Sequence, residues 1–162
     1  MATVFLALGS NVGDSQQLIE KAVDLLGVSI RNITRAPMYT SKPFGVTDQP
    51  DFFNTALRGK TDLTPLELLD FVKSVEANVG RVKRYRWGPR EIDIDIIFYD
   101  DLVLNNPDLT IPHAGLRERD FVLRPLNDLD PNYIDPLSKH SIQELLAKLP
   151  QDETYILKKV VD

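Results

Sequence analysis

Two aspartates, Asp93 and Asp95, interrupt an otherwise apolar run, Glu91-Ile92-Asp93-Ile94-Asp95-Ile96-Ile97-Phe98. On a strand, residues i and i+2 point the same way, about 6.6 Å apart. Both carboxylates then share one face, and Ile92, Ile94, Ile96 and Phe98 fill the other. Adjacent carboxylates repel unless something cationic sits between them. Hard oxygen ligands at this spacing suit Mg²⁺, and a pair can serve two ions bridged by phosphate oxygens. The plain alternative is the solvated face of an edge strand. What favours a metal is the segment just before it, R-V-K-R-Y-R-W-G-P-R at 81–90, which holds five of the 19 basic residues and no acid.

That segment offers Arg81, Lys83, Arg84, Arg86 and Arg90, with Tyr85 and Trp87 interleaved. Arginine matches phosphate with a planar fork and stays charged. Trp87 can stack on a base or lie under a guanidinium. Gly88-Pro89 sets a turn that can aim Arg90 back at the carboxylates. A charge run is usually a solvated loop, and a basic aromatic loop can also bind RNA. The neighbouring carboxylates would repel a bare nucleic-acid backbone but attract a magnesium–nucleotide complex.

Net charge agrees with this local view. The chain carries −5 overall, and outside residues 81–90 it has 14 basic against 24 acidic residues, or −10. A cationic island on an acidic protein suits a small polyanionic ligand and argues against a general nucleic-acid binder. No P-loop or G-x-G-x-x-G sequence occurs. Gly9-Ser10-Asn11-x-Gly13 alone is no more than a strand-to-helix turn. His113, followed by Arg117 and Arg119, can extend the anion site, whereas His140 has no such company. Phe52 and Asn54 on one face, with Phe44 and Phe121 elsewhere, could clamp a flat heterocycle or simply fill core.

The elements that must position these residues follow from punctuation and periodicity. Thr3 to Leu8 is expected as a strand, and Asp14 with Gln17 starts a helix that Gly27 ends. Val28 to Tyr39 is expected as a long second strand, interrupted or bent near Pro37. Residues 40–51 are turn-rich and expected to be a mobile loop. Phe52 to Gly59 is a strand with Phe52, Asn54 and Ala56 on one face. Thr64-Pro65-Leu66-Glu67 opens a helix to about Val79. Ile92 to Tyr99 is a strand, and Asp100-Asp101 is expected to fold it into a hairpin with Leu102 to Leu104. Gly115 to Leu123 should be helical, Ser141 with Glu144 caps a helix through Leu149, and Thr154 to Val161 forms a last strand. Alternating elements with a hairpin among them imply a mixed or antiparallel sheet with helices packed on it.

Length and composition bound the rest. A chain of 162 residues implies one domain over 1–162 and buries roughly 70% of its unfolded surface, enough for a core without staples. The absence of cysteine excludes disulfides, thiolate metal sites and cysteine nucleophiles, and fits a reducing compartment. Apolar residues at 43% and charged residues at 27% are ordinary globular values. No apolar run approaches membrane-spanning length. The N-terminus reads as a strand, not a signal peptide. A cytoplasmic location without membrane partners is expected.

Several of these segments together resemble the 6-hydroxymethyl-7,8-dihydropterin pyrophosphokinase family. They are Gly9-Ser10-Asn11, Tyr39 to Asn54 with Asp48-Gln49-Pro50-Asp51-Phe52-Phe53-Asn54, Arg86-Trp87-Gly88-Pro89-Arg90, Asp93-Ile94-Asp95-Ile96, and Thr110-Ile111-Pro112-His113 with Arg119 and Phe121. The resemblance is collinear over nearly the whole chain. It implies an α+β fold with a ferredoxin-like core, whose central, mostly antiparallel sheet carries helices on both faces. It implies transfer of the β,γ-diphosphate of ATP to the pterin hydroxymethyl oxygen in folate biosynthesis, by a monofunctional monomer. Two Mg²⁺ ions would be held by Asp93 and Asp95, with Arg81 and Arg90 as further catalytic residues. The pterin would meet Ser41, Pro43, Phe44, Phe52, Asn54 and Phe121. ATP would meet Glu76, Arg81, Lys83, Trp87, Arg90, Ile96, Thr110, His113 and Arg119. Lys73, Asp108 and Ala114 stand where the family commonly has a glutamine, a basic residue and an aromatic. The loops at about 43–51 and 81–91 are expected to close over the substrates and exclude water, a competing acceptor. A metal-dependent phosphohydrolase and a ferredoxin-like RNA-binding module are the readings to be separated from this one.

Overall fold

The computed structural model describes residues 1–160. Five strands lie in the order β5 (Asp93–Tyr99), β1 (Ala2–Ser10), β4 (Phe52–Thr61), β3 (Tyr39–Ser41) and β8 (Ile156–Lys159), and β2 (Arg31–Arg35) pairs with the far end of β4. All their ladders are antiparallel. Helix α1 (Ser15–Leu26) links β1 to β2, and α2 (Pro65–Val79) links β4 to β5. This is the ferredoxin-like core inferred from the sequence.

The helices begin where the capping residues stand. Asp14 accepts a hydrogen bond from the Gln17 amide at 3.3 Å. Thr64 and Glu67 form a full capping box at α2 with Pro65 in the first turn, and Ser141 and Glu144 do the same for α4 (Ile142–Lys148). Each reciprocal pair satisfies two backbone donors that helix geometry leaves free.

Strand alternation sends side chains to two cores. Val4, Leu6 and Leu8 of β1 pack with Ile92, Ile94 and Ile96 against Ile19, Ala22 and Leu26 of α1 and Leu68, Val72 and Val75 of α2. Phe5, Ala7, Ala56, Ile97 and Phe98 pack on the other face against Val122, Leu123 and Leu126 of α3 (Asp120–Leu129) and Ile142 and Leu145 of α4. Phe98 departs from the expected alternation. The register shifts between Phe5 and Leu6, so one extra β5 residue turns Phe98 onto the α3 side. There it meets Phe5 edge-on at 5.8 Å.

The strand expected over 28–39 is interrupted at Pro37, which has no N–H to donate: β2 and β3 lie on either side of the break and both pair with β4. Three further expectations are corrected. The hairpin after Tyr99 does not form. Asp100 instead exchanges hydrogen bonds with Thr3, its amide donating at 2.8 Å and its carboxylate accepting at 2.8 Å. Leu104–Asn105 (β6) then pairs with Thr110–Ile111 (β7) in a separate small sheet. The helix expected over 115–123 is a 3-10 turn at Leu116–Glu118, an extended Arg119, and α3. Tyr39–Ser41 forms β3, so Thr40 and Ser41 are strand residues outside the turn-rich loop. The last strand covers Ile156–Lys159, and Val161 lies outside the described residues. No helix among the described residues is long and apolar enough to cross a membrane.

Candidate active site

The carboxylates sit where the α3-side core gives out. Asp95 pairs with Ala7 across the β5–β1 ladder, and Asp93 pairs with Gly9. Gly9 pairs onward with Asn54, and Asn54 with Tyr39. Paired residues share a face, so Asp93, Asp95, Gly9 and Asn54 look out on the same side. Helix α3 starts only at Asp120 and leaves this end of the sheet open.

The resulting cleft is lined by Gly9, Ser41, Phe44, Phe52, Asn54, Trp87, Arg90, Asp93, Asp95, Arg119 and Phe121, among others. It therefore gathers five of the six residues expected to touch a flat heterocycle. Pro43, the sixth, is buried and lines a neighbouring cleft with Thr47, Gln49 and Tyr155. Asn54 is buried and donates to the Ser41 hydroxyl at 2.6 Å. Phe44 and Phe121 lie 6.2 Å apart at 52°. The Arg119 guanidinium lies 4.6 Å over the Phe44 ring, and its buried Nε has no hydrogen-bond partner among the described residues. Trp87, expected on the nucleotide, lines this cleft instead and meets Phe44 edge-on at 6.0 Å.

A second cleft lies across β5, lined by Leu69, Ile94, Asp95, Ile96, Asp108, Leu109, Thr110, His113 and Ala114. It collects Ile96, Thr110 and His113 of the expected nucleotide contacts. Asp108 and Ala114, where the sequence departs from the family pattern, line the same cleft. Asp95 is common to both clefts.

Charge around the carboxylates is organised by two arginines. Arg81 Nη1 donates to Glu76 at 2.7 Å and to Asp93 at 3.1 Å, and Arg90 Nη1 reaches the other Asp93 oxygen at 3.3 Å. Glu76 also accepts from the Ile94 amide at 2.8 Å, which fixes α2 to β5 beside the site. Burial pushes the Glu76 carboxyl up; its hydrogen bonds and Arg81 partly offset this. Burial pulls the Arg81 guanidinium down, but Glu76 and Asp93 outweigh it and hold it above its ordinary value. Asp95 is pushed well up, first by the protein around it and then by the Asp93 charge. A third of its side chain still meets solvent through the cleft mouths. His113 Nδ1 accepts from the Gly115 amide at 3.1 Å, and its Nε2 lies 3.8 Å from Asp95. Burial and Arg119 hold this imidazole below its ordinary value.

The two loops are joined. Asn11 donates to the Gln49 side chain and the Pro50 carbonyl, both at 2.9 Å, and accepts from the Arg90 amide at 2.9 Å. Gln49 donates to the Trp87 carbonyl at 2.7 Å. Gly45, at φ +81°, lies so close to Trp87 that a Cβ would fall 2.7 Å from the indole. Arg84 is not free for a ligand: it makes a bidentate pair with Glu91 at 2.8 and 2.7 Å. Lys83 is exposed and lines neither main cleft. The roles of Asn11 and Gln49 were not legible in Gly9-Ser10-Asn11, whose only local signal was a turn.

The sequence of residues 5–131 matches the family model described as 7,8-dihydro-6-hydroxymethylpterin-pyrophosphokinase (HPPK). The chain belongs to this family. The Aquifex aeolicus 2-amino-4-hydroxy-6-hydroxymethyldihydropteridine pyrophosphokinase is 45% identical over 144 residues, which cover 89% of this chain and 90% of that protein. Its Methylorubrum extorquens counterpart is 41% identical, covering 92% and 94%. The folic acid synthesis protein fol1 of Schizosaccharomyces pombe is 42% identical over 90% of this chain, but this chain spans only 20% of that longer protein. Among solved structures, a Plasmodium falciparum HPPK-DHPS superposes with a TM-score of 0.75 at 17% identity, over 91% of this chain and 43% of that one. That likeness establishes the HPPK fold.

Proposed function

We propose that the two clefts are the two substrate sites of the pyrophosphokinase reaction and that Asp95 stands between them. The hydroxymethyl oxygen of 6-hydroxymethyl-7,8-dihydropterin attacks the β-phosphorus of ATP, the bond to AMP breaks, and the β,γ-diphosphate passes to the pterin. The observation that carries this reading is that Asp95 lines both clefts. An acceptor in one and a nucleotide in the other would meet at this carboxylate.

The pterin ring lies among Phe44, Phe52 and Phe121, and its polar edge meets Asn54 and Ser41. Asn54 is held by its bond to Ser41, so it presents its carbonyl in a fixed direction. The nucleotide lies along Ile96, Thr110 and His113. Arg81 and Arg90, now pinned on Asp93, turn to the phosphates and stabilise charge as the bond to AMP breaks. The partnerless Nε of Arg119 is a further donor at the boundary. As the substrates bind, the joined loops close and shut the site from water.

The donor set fits divalent magnesium. Two carboxylates two residues apart, one held neutral-prone by its surroundings and its neighbour, supply the hard oxygens such an ion takes and a like-charge strain that it relieves. Asp93 and Asp95 would hold it. When bound it neutralises phosphate charge and makes the pterin hydroxyl more acidic.

Asp93→Ala and Asp95→Ala test the reading. Each is expected to abolish AMP formation, to remove the rise in thermal midpoint that Mg²⁺ gives the parent chain, and to leave the fold intact. Turnover that survives either change, or RNA affinity that does so while no pterin product appears, contradicts it.

A further inference from the structure

We propose that Tyr155, near the C-terminus and beyond the segment matched by the family model, is a positioning residue for the aromatic wall of the pterin cleft. The inference rests on the pterin assignment above and adds a part to it.

Three rings form a triangle. Tyr155 lies 5.5 Å from Phe44 at 51° and 5.8 Å from Phe121 at 72°, and Phe44 and Phe121 lie 6.2 Å apart. Phe44 and Phe121 face the cleft, whereas Tyr155 lines the neighbouring cleft with Pro43 and Thr47. Tyr155 therefore stands behind both rings and acts on the substrate only through them. Lys42 Nζ lies 5.6 Å over its ring.

The backbone beneath this ring is fixed from both sides. The buried Asp120 carboxylate accepts from the Tyr155 and Ile156 amides, each at 3.0 Å. The Tyr155 carbonyl accepts from the Lys42 amide at 2.8 Å. Asp120 directly precedes Phe121, and Lys42 is two residues before Phe44. The short entry into β8, Tyr155 and Ile156, is thus tied to the chain segments that carry both cleft rings.

The need for such a brace follows from ring geometry. Phe44 and Phe121 touch each other at a tilt, so the wall they present to the cleft depends on how each ring is held from behind. Phe44 sits on a loop, and Tyr155 limits how far its ring can turn outward. Edge-on and offset ring contacts are the favoured geometry. Losing two of them should weaken pterin capture about fivefold to twentyfold.

The test uses the full chain with Tyr155→Ala, Tyr155→Leu and Tyr155→Phe. Alanine and leucine are expected to raise the pterin KM about fivefold to twentyfold, with the ATP KM and kcat within about twofold of the parent. Phenylalanine should restore the parent value. The leucine variant keeps apolar bulk and carries the test if the alanine variant folds poorly. A second readout needs no substrate. Trp87 is the one tryptophan in the chain and meets Phe44 edge-on, so its emission should change in Tyr155→Leu and not in Tyr155→Phe. An unchanged pterin KM, an equal rise in both KM values, or a phenylalanine variant as impaired as leucine overturns the proposal. If the parent chain makes no AMP with pterin present, the functional reading falls. The tryptophan readout then still decides the brace, and unaltered emission in Tyr155→Leu overturns it.

Discussion

Arg81 and Asp93, twelve residues apart in the chain, meet at 3.1 Å. The same arginine nitrogen also holds Glu76 at 2.7 Å, so one guanidinium joins α2 to β5. Substitution Arg81→Met keeps an unbranched stem and removes the guanidinium and its charge. It should lower kcat about 10²- to 10³-fold, the usual cost of a lost charge-stabilising donor. The pterin KM should change much less, because Arg81 does not line the aromatic cleft. Steady-state AMP formation separates the two constants, and a loss confined to KM would contradict the assigned role.

Gly9 lies opposite Asn54 in the β1–β4 ladder. A Cβ there would come within 3.2 Å of the Asn54 side-chain oxygen and 3.7 Å of the Phe52 ring. Gly9→Ala is therefore expected to displace the Asn54 amide, proposed above to read the pterin edge. The pterin KM should rise about tenfold, in line with the ~1–3 kcal/mol carried by a buried hydrogen bond. The ATP KM should be unaltered. Equal changes in both KM values would mean that the substitution acts on the fold and not on pterin recognition.

Much of this arrangement is legible in the residues, and its failures have identifiable causes. Capping boxes at Thr64 and Ser141 and the Asp93/Asp95 alternation are local signals, and local signals place α2, α4 and β5. The Phe98 reversal depends on a bulge set by register with β1, which β5 alone does not encode. The missing hairpin after Tyr99 reflects a competition that Thr3 wins for Asp100 from 97 residues away. Asn11, Gln49 and Tyr155 share that difficulty. Their partners are distant in sequence, and neither an amide nor a tyrosine announces a long-range role by its spacing.

Glu91 gives a prediction about acid stability. Its carboxyl is held down to about 2 from 4.5, chiefly by the bidentate Arg84 pair against its burial, with the Val82 amide adding to the effect. A carboxylate with a depressed folded pKa stabilises the protein above its unfolded value, and that contribution is lost as pH falls from about 4.5 towards 2. Thermal midpoints of the parent should therefore drop across this window more steeply than those of Glu91→Gln, and the two slopes should agree above pH 6. Parallel curves down to pH 2 would show that the loop staple contributes nothing.

The central claim is that a nucleotide and a pterin react across Asp95. The direct measurement mixes the chain with ATP and Mg²⁺, with and without 6-hydroxymethyl-7,8-dihydropterin, and quantifies AMP, ADP and pterin diphosphate. AMP and pterin diphosphate should form in equal amounts, and only when the pterin is present. ADP as the product, or AMP released at the same rate without pterin, would contradict it.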